Sequence, residues 1–393
     1  MPPIDFSRHN EEVRQVWDSY HAGRPIRVPF GPLGTNPRIW VLDPSLNTEG
    51  ITWQQFSNDP ELMFQTCLKY QYYLAHTIPQ DREMGIPADH WEVYSELGNV
   101  WEENWLGSPI RYPAGQVSAS LPAFNGKNKE AIFERGIPGP FDGIAGQGRE
   151  FYEYFVERAH DTEFHGRPVK VLAPYPLGTD GPFTVAIGVR GTELLEDMLL
   201  DEDYYHRLMD FVVAAIIRRV QAWRAYLGVE LKPVRVNFAD DAIQYLSLRH
   251  YRELVLPYHQ LLMATLYGAG PHAMHLCGSV QRHLPLIARE LNVKSFDTGF
   301  PLDFTTLRAE VGDDVEIQGG VPVGELVSGS PAQVYAAAES ILKSGILQGG
   351  RFIMKEANNL PPQTPLANLE AMYAAVKEWG RYPPADINEP VSN

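Results

Sequence analysis

Apolar positions along this chain change their spacing repeatedly. From Val169 onward, short apolar runs that read as strands give way to stretches in which apolar residues recur every third or fourth position. That βαβα order implies parallel strands with helices packed outside them. Val169–Ala173 reads as one strand, and Leu208, Val212, Ile216, Val220, Trp223 and Leu227 then follow at helical spacing up to Gly228. They predict a long amphipathic helix over 201–227, closed by the glycine. The cycle repeats with a strand at Val234–Phe238, the acidic turn Ala239-Asp240-Asp241, and a helix that Ser247 can cap and that runs to Gly268. Further strands are expected at Ala273–His275, Val293–Phe296, Val315–Gln318 and Arg351–Met354. Helices should open at Ser330-Pro331 and Thr364-Pro365, each a capping residue followed by proline at the first helical position, and end at Gly345 and Gly380. An early strand at Ile26–Phe30 brings the number to seven, and Thr184–Val189 offers an eighth. Eight parallel strands with outer helices describe an α/β fold, the (β/α)8 TIM barrel.

One region departs from this alternation. Residues 90–148 are rich in Trp, Tyr, Gly and Pro, and the short alternating run at Gly115–Ser120 predicts a β-hairpin insertion in the N-terminal half. Phe124–Gly148 reads as a long loop over the site. The expected organisation is a single barrel domain over 1–383 carrying this insertion, with a loose polar tail at 384–393.

Composition narrows the function classes. The chain has 393 residues, 44% apolar and 21% charged, as expected of a globular protein. With 33 basic and 49 acidic residues its formal charge is −16, which argues against nucleic acid or an anionic membrane as partner and favours a small-molecule substrate. Cys67 and Cys277 are its two cysteines, too few for a disulfide framework. Cys67 falls on an apolar helical stretch over 59–75 and reads as packed. No basic-then-apolar leader and no run of about 18 apolar residues is present, so a cytoplasmic enzyme is expected.

The candidate chemistry lies at the strand ends, which in a barrel face one mouth. His275-Leu276-Cys277-Gly278 is the most pointed of them. On a strand, alternation sets His275 and Cys277 on one face, an imidazole and a thiol aimed at one point. They are half of a metal site and need further ligands. The other strand ends supply Asp240-Asp241, Asp297, Gln318-Gly319-Gly320 and Lys355-Glu356-Ala357-Asn358-Asn359. Each has a structural reading beside the chemical one: Asp240 and Asp241 serve equally as helix caps, Asp297 precedes a Thr-Gly turn, and Asn358 and Asn359 suit a turn before Pro361-Pro362.

Taken in order, several of these segments resemble the uroporphyrinogen decarboxylase superfamily over Phe238–Tyr382. They are Asp240-Asp241 with Gln244 and Ser247, Leu256-Pro257-Tyr258, His275-x-Cys277-Gly278, Gln318-Gly319-Gly320-Val321-Pro322, and Pro361-x-x-Thr364-Pro365 with Asn368-Leu369. Gly181-Pro182-Phe183-Thr184 and Arg190-Gly191 resemble its middle segment. The resemblance implies a barrel fold. The decarboxylases of that superfamily carry an arginine-rich N-terminal clamp for many carboxylates. Here Gly31–Arg38 holds only Arg38.

The resemblance therefore points to the cobalamin-linked methyltransferase branch, which holds zinc with a His-x-Cys pair and a later Cys. His275 and Cys277 match that pair. The later position is Asn358, so oxygen ligands are expected, Asp297 first among Asp297, Glu356, Asp240 and Asp241. One sulfur with oxygen donors suits polarising an ether oxygen. The implied activity is demethylation of a small methoxylated compound, aromatic ones included, with the methyl group passed to a corrinoid protein. Asp240, Asp241 and Glu356 are the implied acids, and Asn36, Arg38, Gln318 and Asn358 the implied substrate contacts. A homodimer fits the resemblance. The alternatives are a cofactor-free decarboxylase or lyase acting on a smaller carboxylic acid, and a non-catalytic binding protein.

Overall fold

The computed structural model describes residues 5–234 and 237–383, with the side chain of Asn237 outside the description. The expected tail at 384–393 and the middle of the expected Val234–Phe238 strand lie outside the described residues. The described chain falls into two compact units, one built from 5–35, 72–87 and 297–383, the other from 36–71 and 88–296.

In the larger unit the long helix spans Glu202–Leu227. Leu208, Val212, Ile216, Val220 and Trp223 are all buried along it. Asp201 accepts from the Tyr204 amide at its start, and Gly228 ends it in the left-handed region at φ 65°. Asn237–Ala239 pairs in parallel with His272–Leu276, in the register Phe238 opposite Met274 and Ala239 opposite His275. Val293–Thr298 continues the strand series. Ser247 caps the next helix through the His250 amide at 3.1 Å. That helix passes through a wide π turn at Tyr251–Val255 before continuing over Leu256–Leu266. Pro257 has no N–H for the regular ladder, and the wide turn absorbs the loss.

The smaller unit pairs Glu316–Gly319 with Phe352–Met354, also in parallel. Helices Pro331–Leu342 and Leu366–Trp379 belong to the same unit. Ser330 and Gln333 form a reciprocal capping box at the first of these. Thr364 does not cap the second. Pro365 occupies the capping position, and Thr364 Oγ1 donates to Pro361 O at 2.8 Å.

Three expected elements take another form. Ile26–Phe30 is not a strand: it makes isolated bridges at Arg27 and Phe30, because Pro25 and Pro29 remove ladder donors. Its anchor is instead Asp81, which accepts from the buried Arg27 guanidinium at 2.5 and 2.7 Å and from the Phe30 amide at 2.6 Å. Thr184–Val189 lies in a helix, Pro182–Arg190, whose Phe183, Val185, Ala186 and Val189 are fully buried. Phe124–Gly148 is not one long loop, since it holds the helix Ala131–Arg135 and the start of Gly143–His160. A short antiparallel hairpin does join Ile110–Arg111 to Ala119–Ser120. Trp91–Val93 pairs in parallel with Arg167–Val171. Among the described residues no helix is long and apolar enough to cross a membrane.

Candidate functional site

Strand alternation builds the centre of the site. Along His272–Leu276, Met274 and Leu276 are fully buried on one face, while His275 and the following Cys277 stand half-buried on the other. The parallel register sets Ala239 beside His275, so the residues just beyond each strand arrive together. Asp241 Oδ1 accepts the Cys277 amide at 2.8 Å. Gly278, at φ 82°, then turns the chain so tightly that a Cβ there would meet Gln244 Oε1 at 2.2 Å.

The imidazole of His275, the sulfur of Cys277 and a carboxylate oxygen of Asp241 all lie within 4.8 Å of one another. Tetrahedral zinc with bonds of about 2.0 to 2.3 Å separates its donors by about 3.3 to 3.8 Å. Closing this group on the ion therefore takes at most about an ångström of movement. Three protein donors of N, S and O type with one position left open is the donor count of a catalytic rather than a structural zinc. The residues present fit the ion.

Asp240 faces elsewhere, as alternation requires of Asp241's neighbour. It is fully buried, and its oxygens accept from the Phe183 amide at 3.0 Å, the Thr184 amide at 2.8 Å, Thr184 Oγ1 at 2.7 Å and His259 Nε2 at 2.8 Å. It caps the Pro182–Arg190 helix from a distant strand end. His259 Nδ1 in turn meets Tyr251 OH at 3.1 Å. Gly181, at φ 92°, lets the capped segment lie against Ala239 O and Asp240, where a Cβ would collide at 2.1 and 2.5 Å.

A second set of acids stands beside this centre. Glu102 and Arg219, both fully buried, pair at 2.6 Å. Glu102 also accepts the Asp180 amide at 2.6 Å, and Arg219 donates to Gly178 O at 2.7 Å. The guanidinium lies over Trp101 at 4.4 Å. These contacts fix the 178–181 segment and deliver the Asp180 carboxyl, half-buried, to the neighbourhood of Asp241 and His275. Burial, with the charges of Glu102 and Asp241, pushes that carboxyl up to about 8. Burial likewise pushes Glu103 up to about 8. Tyr175, whose hydroxyl donates to Glu96 at 3.2 Å, has its phenol held well above the usual range by burial and by Glu96, with Asp180 adding to it. Burial raises the Glu96 carboxyl, while the Gly98 amide, Tyr175 and Arg38 pull it down.

The other expected residues divide between the units. Asn36 Oδ1 accepts the Arg38 amide at 3.1 Å, which starts a short helix at Arg38. Asp297, expected as the third metal donor, is not in the donor group: it lies in the smaller unit, where Lys355 Nζ donates to its Oδ1 at 2.9 Å. Glu356 is fully buried in the same unit, with Oε1 accepting the Gly34 amide at 2.6 Å and Oε2 without a partner among the described residues. Burial pushes its carboxyl up to about 7 against the pull of Lys355 and the Gly34 amide. Gln318 Nε2 donates to Glu316 at 2.9 Å. Asn358 sits in the left-handed region at φ 105°, a conformation uncommon outside glycine. Cys67 is buried. Asp180, Glu102, Glu103 and Arg219 carried no sequence signal, because their meeting is made by tertiary contacts between distant segments.

Residues 175–379 match the model of the family described as Uroporphyrinogen decarboxylase (URO-D). A methylcobamide:CoM methyltransferase, MtbA, from Methanosarcina mazei is 23% identical over 202 residues, 51% of this chain and 56% of that protein. The chain thus aligns with little more than half the length of that relative. A solved structure described as a methyltransferase from Methanosarcina mazei shares the fold, with a TM-score of 0.62, 16% identity, and coverage of 93% of this chain and 98% of that one. Both relatives are methyltransferases by name, and the likeness falls on the corrinoid methyltransferase branch.

Proposed function

The chain belongs to the uroporphyrinogen decarboxylase family, and on that premise we propose that it is a zinc-dependent methyltransferase that demethylates a small methoxylated aromatic compound. Its methyl acceptor is a corrinoid carried on a partner protein. The closed (β/α)8 barrel is the proposed architecture. The observation that carries the reading is the meeting of Asp241, His275 and Cys277 at the ends of two paired parallel strands.

In this reading His275 offers a neutral ring nitrogen, Cys277 a thiolate and Asp241 a carboxylate oxygen. Bound zinc supplies Lewis-acid polarisation of the ether oxygen that must leave. The chain's own groups do the rest. The Cys277 amide holds one oxygen of Asp241 and orients the carboxylate. Asp240 keeps the Pro182–Arg190 helix in place and so positions the segment that carries Asp180. Tyr94 and Tyr175, with ring centroids 6.1 Å apart, give an aromatic wall, and Arg38 is the proposed cationic contact. A single thiolate with a carboxylate leaves the ion more electron-poor than two thiolates would, which favours an oxygen leaving group over activation of a thiol.

The test is purification without chelator, elemental analysis, and methyl transfer from 2-methoxyphenol to cob(I)alamin followed in the visible spectrum. About one zinc per chain is expected, with activity lost on stripping and regained on zinc addition. Less than a tenth of an equivalent, with no gain on adding zinc, rejects the reading. Carbon dioxide release from a carboxylic acid by metal-free protein would replace it with a decarboxylase.

A further inference from the structure

The helix that follows the acidic turn is wound to bring two distant residues together. Eight residues of a regular α-helix turn through about 800°, which leaves the first and the last about 80° apart around the axis. A π turn takes in about one residue more, so the wide turn at Tyr251–Val255 brings Tyr251 and His259 to within about 20° of one face. There they touch. Tyr251 OH meets His259 Nδ1 at 3.1 Å, and both side chains are fully buried. The His259 ring also stands edge-on to Phe238, with centroids 5.4 Å apart, which seats it against the Asn237–Ala239 strand.

The other nitrogen of that ring, Nε2, lies 2.8 Å from Asp240 Oδ2. An ionised carboxylate only accepts, so Nε2 carries the proton and Nδ1 of the neutral ring accepts from the Tyr251 hydroxyl. Together with the Phe183 amide, the Thr184 amide and Thr184 Oγ1, His259 fills the acceptor capacity of Asp240. Capping the Pro182–Arg190 helix accounts for the first three donors and not for His259. Asp241 is the next residue, and its Oδ1 accepts the Cys277 amide at 2.8 Å. The Ala242 amide beyond it donates to Thr184 Oγ1 at 3.0 Å. A carboxylate held from every side fixes the direction of the chain at the strand end, and with it the direction in which Asp241 points.

We propose that Tyr251 and His259 are positioning residues for the metal centre: by locking Asp240 they hold the peptide between Asp240 and Asp241 so that Asp241 faces Cys277 and His275. Neither side chain belongs to the donor group, and both act through Asp240. The wide turn sets their register, because a regular turn in its place would rotate His259 away from Tyr251. That Asp241 holds zinc rests on the function proposed above. The orientation of Asp241 toward the Cys277 amide does not.

The experiment compares wild type with His259→Phe, His259→Gln, Tyr251→Phe and Leu262→Ala in two measurements. One is zinc affinity, by competition with a chromophoric chelator. The other is residue-resolved hydrogen exchange of the Cys277 amide in metal-free protein. His259→Phe should weaken zinc binding about 10- to 100-fold, the range for partners that stand behind metal donors. It should also speed Cys277 exchange by about tenfold or more, the scale of one hydrogen bond to a charged group. Tyr251→Phe loses one neutral hydrogen bond, should cost about fivefold in zinc affinity, and carries the test should His259→Phe not fold. His259→Gln can return an amide N–H to Asp240 and should recover most of both losses. Leu262→Ala removes buried apolar bulk from the same helix, and should lower Tm while leaving zinc affinity and Cys277 exchange as in wild type. His259→Phe or, in its place, Tyr251→Phe with both readouts at wild-type values overturns the proposal, as does a glutamine variant no better than the phenylalanine one. A wild-type protein that takes up no zinc rejects the proposed reaction, and Cys277 exchange then decides the positioning by itself.

Discussion

At the end of the Phe352–Met354 strand in the smaller unit, Lys355 reaches Asp297 at 2.9 Å, and the neighbouring Glu356 is buried with the Gly34 amide on one oxygen. At the ends of Asn237–Ala239 and His272–Leu276 in the larger unit, Asp241 meets an imidazole and a thiol, and the buried Arg219 belongs to Glu102. Both places are acidic strand ends, and the sequence marks them alike. One brings its own lysine. The other gathers donors of three chemical types within 4.8 Å of one another. A built-in counter-charge, more than the presence of acids, separates the Lys355 cluster from a candidate metal centre.

Substitutions can break this comparison. His275→Ala or Cys277→Ala should empty the site of zinc and lower methyl transfer by about a thousandfold, beyond the 10- to 100-fold typical of outer partners. Lys355→Met should leave zinc content as it was. Elemental analysis of the variants beside wild type decides this, and a Lys355→Met protein without zinc would erase the contrast. Next in size is Arg219→Met, which strands the buried Glu102 carboxylate and should cost about 3 kcal/mol or more of stability in urea unfolding. No loss in the unfolding midpoint would mean that the pair does not clamp the 178–181 segment. Lys355→Met should cost less, about 2 kcal/mol, because Asp297 is 26% exposed and water screens part of its charge.

The smallest effect is one of pH. Burial raises the Glu356 carboxyl to about 7, so the folded protein holds a proton there that the unfolded chain releases near its ordinary value. Stability from that proton is fully present below the unfolded value and is lost as pH rises toward about 7. Glu356→Gln, neutral throughout, should therefore gain on wild type by about 1 kcal/mol or more between pH 5 and pH 8. Thermal unfolding at the two pH values measures it. A wild-type advantage that grows with pH would contradict the burial argument.

How much of this was legible in the sequence follows from the range of the forces involved. The His275 and Cys277 pair was readable because a strand's period of two puts them on one face whatever else the chain does. The long helix was readable for the same local reason. Thr184–Val189 was misread because β-branched residues suggest a strand, while the cap that makes it a helix comes from Asp240, 56 residues away. Asp180 was invisible because its place depends on Glu102 and Arg219, which lie 117 residues apart. Asp297 was a reasonable third donor by strand order alone, but it is not in the donor group and its carboxylate takes the Lys355 ammonium. Local periodicity reaches a few residues, and tertiary charge pairing reaches across the chain.

The most direct measurement is zinc K-edge X-ray absorption on protein purified without chelator. One sulfur at about 2.3 Å with nitrogen and oxygen neighbours near 2.0 to 2.2 Å is the predicted shell, with the sulfur lost in Cys277→Ala. A shell without sulfur, or a sulfur signal that persists in Cys277→Ala, would contradict a centre made by Asp241, His275 and Cys277.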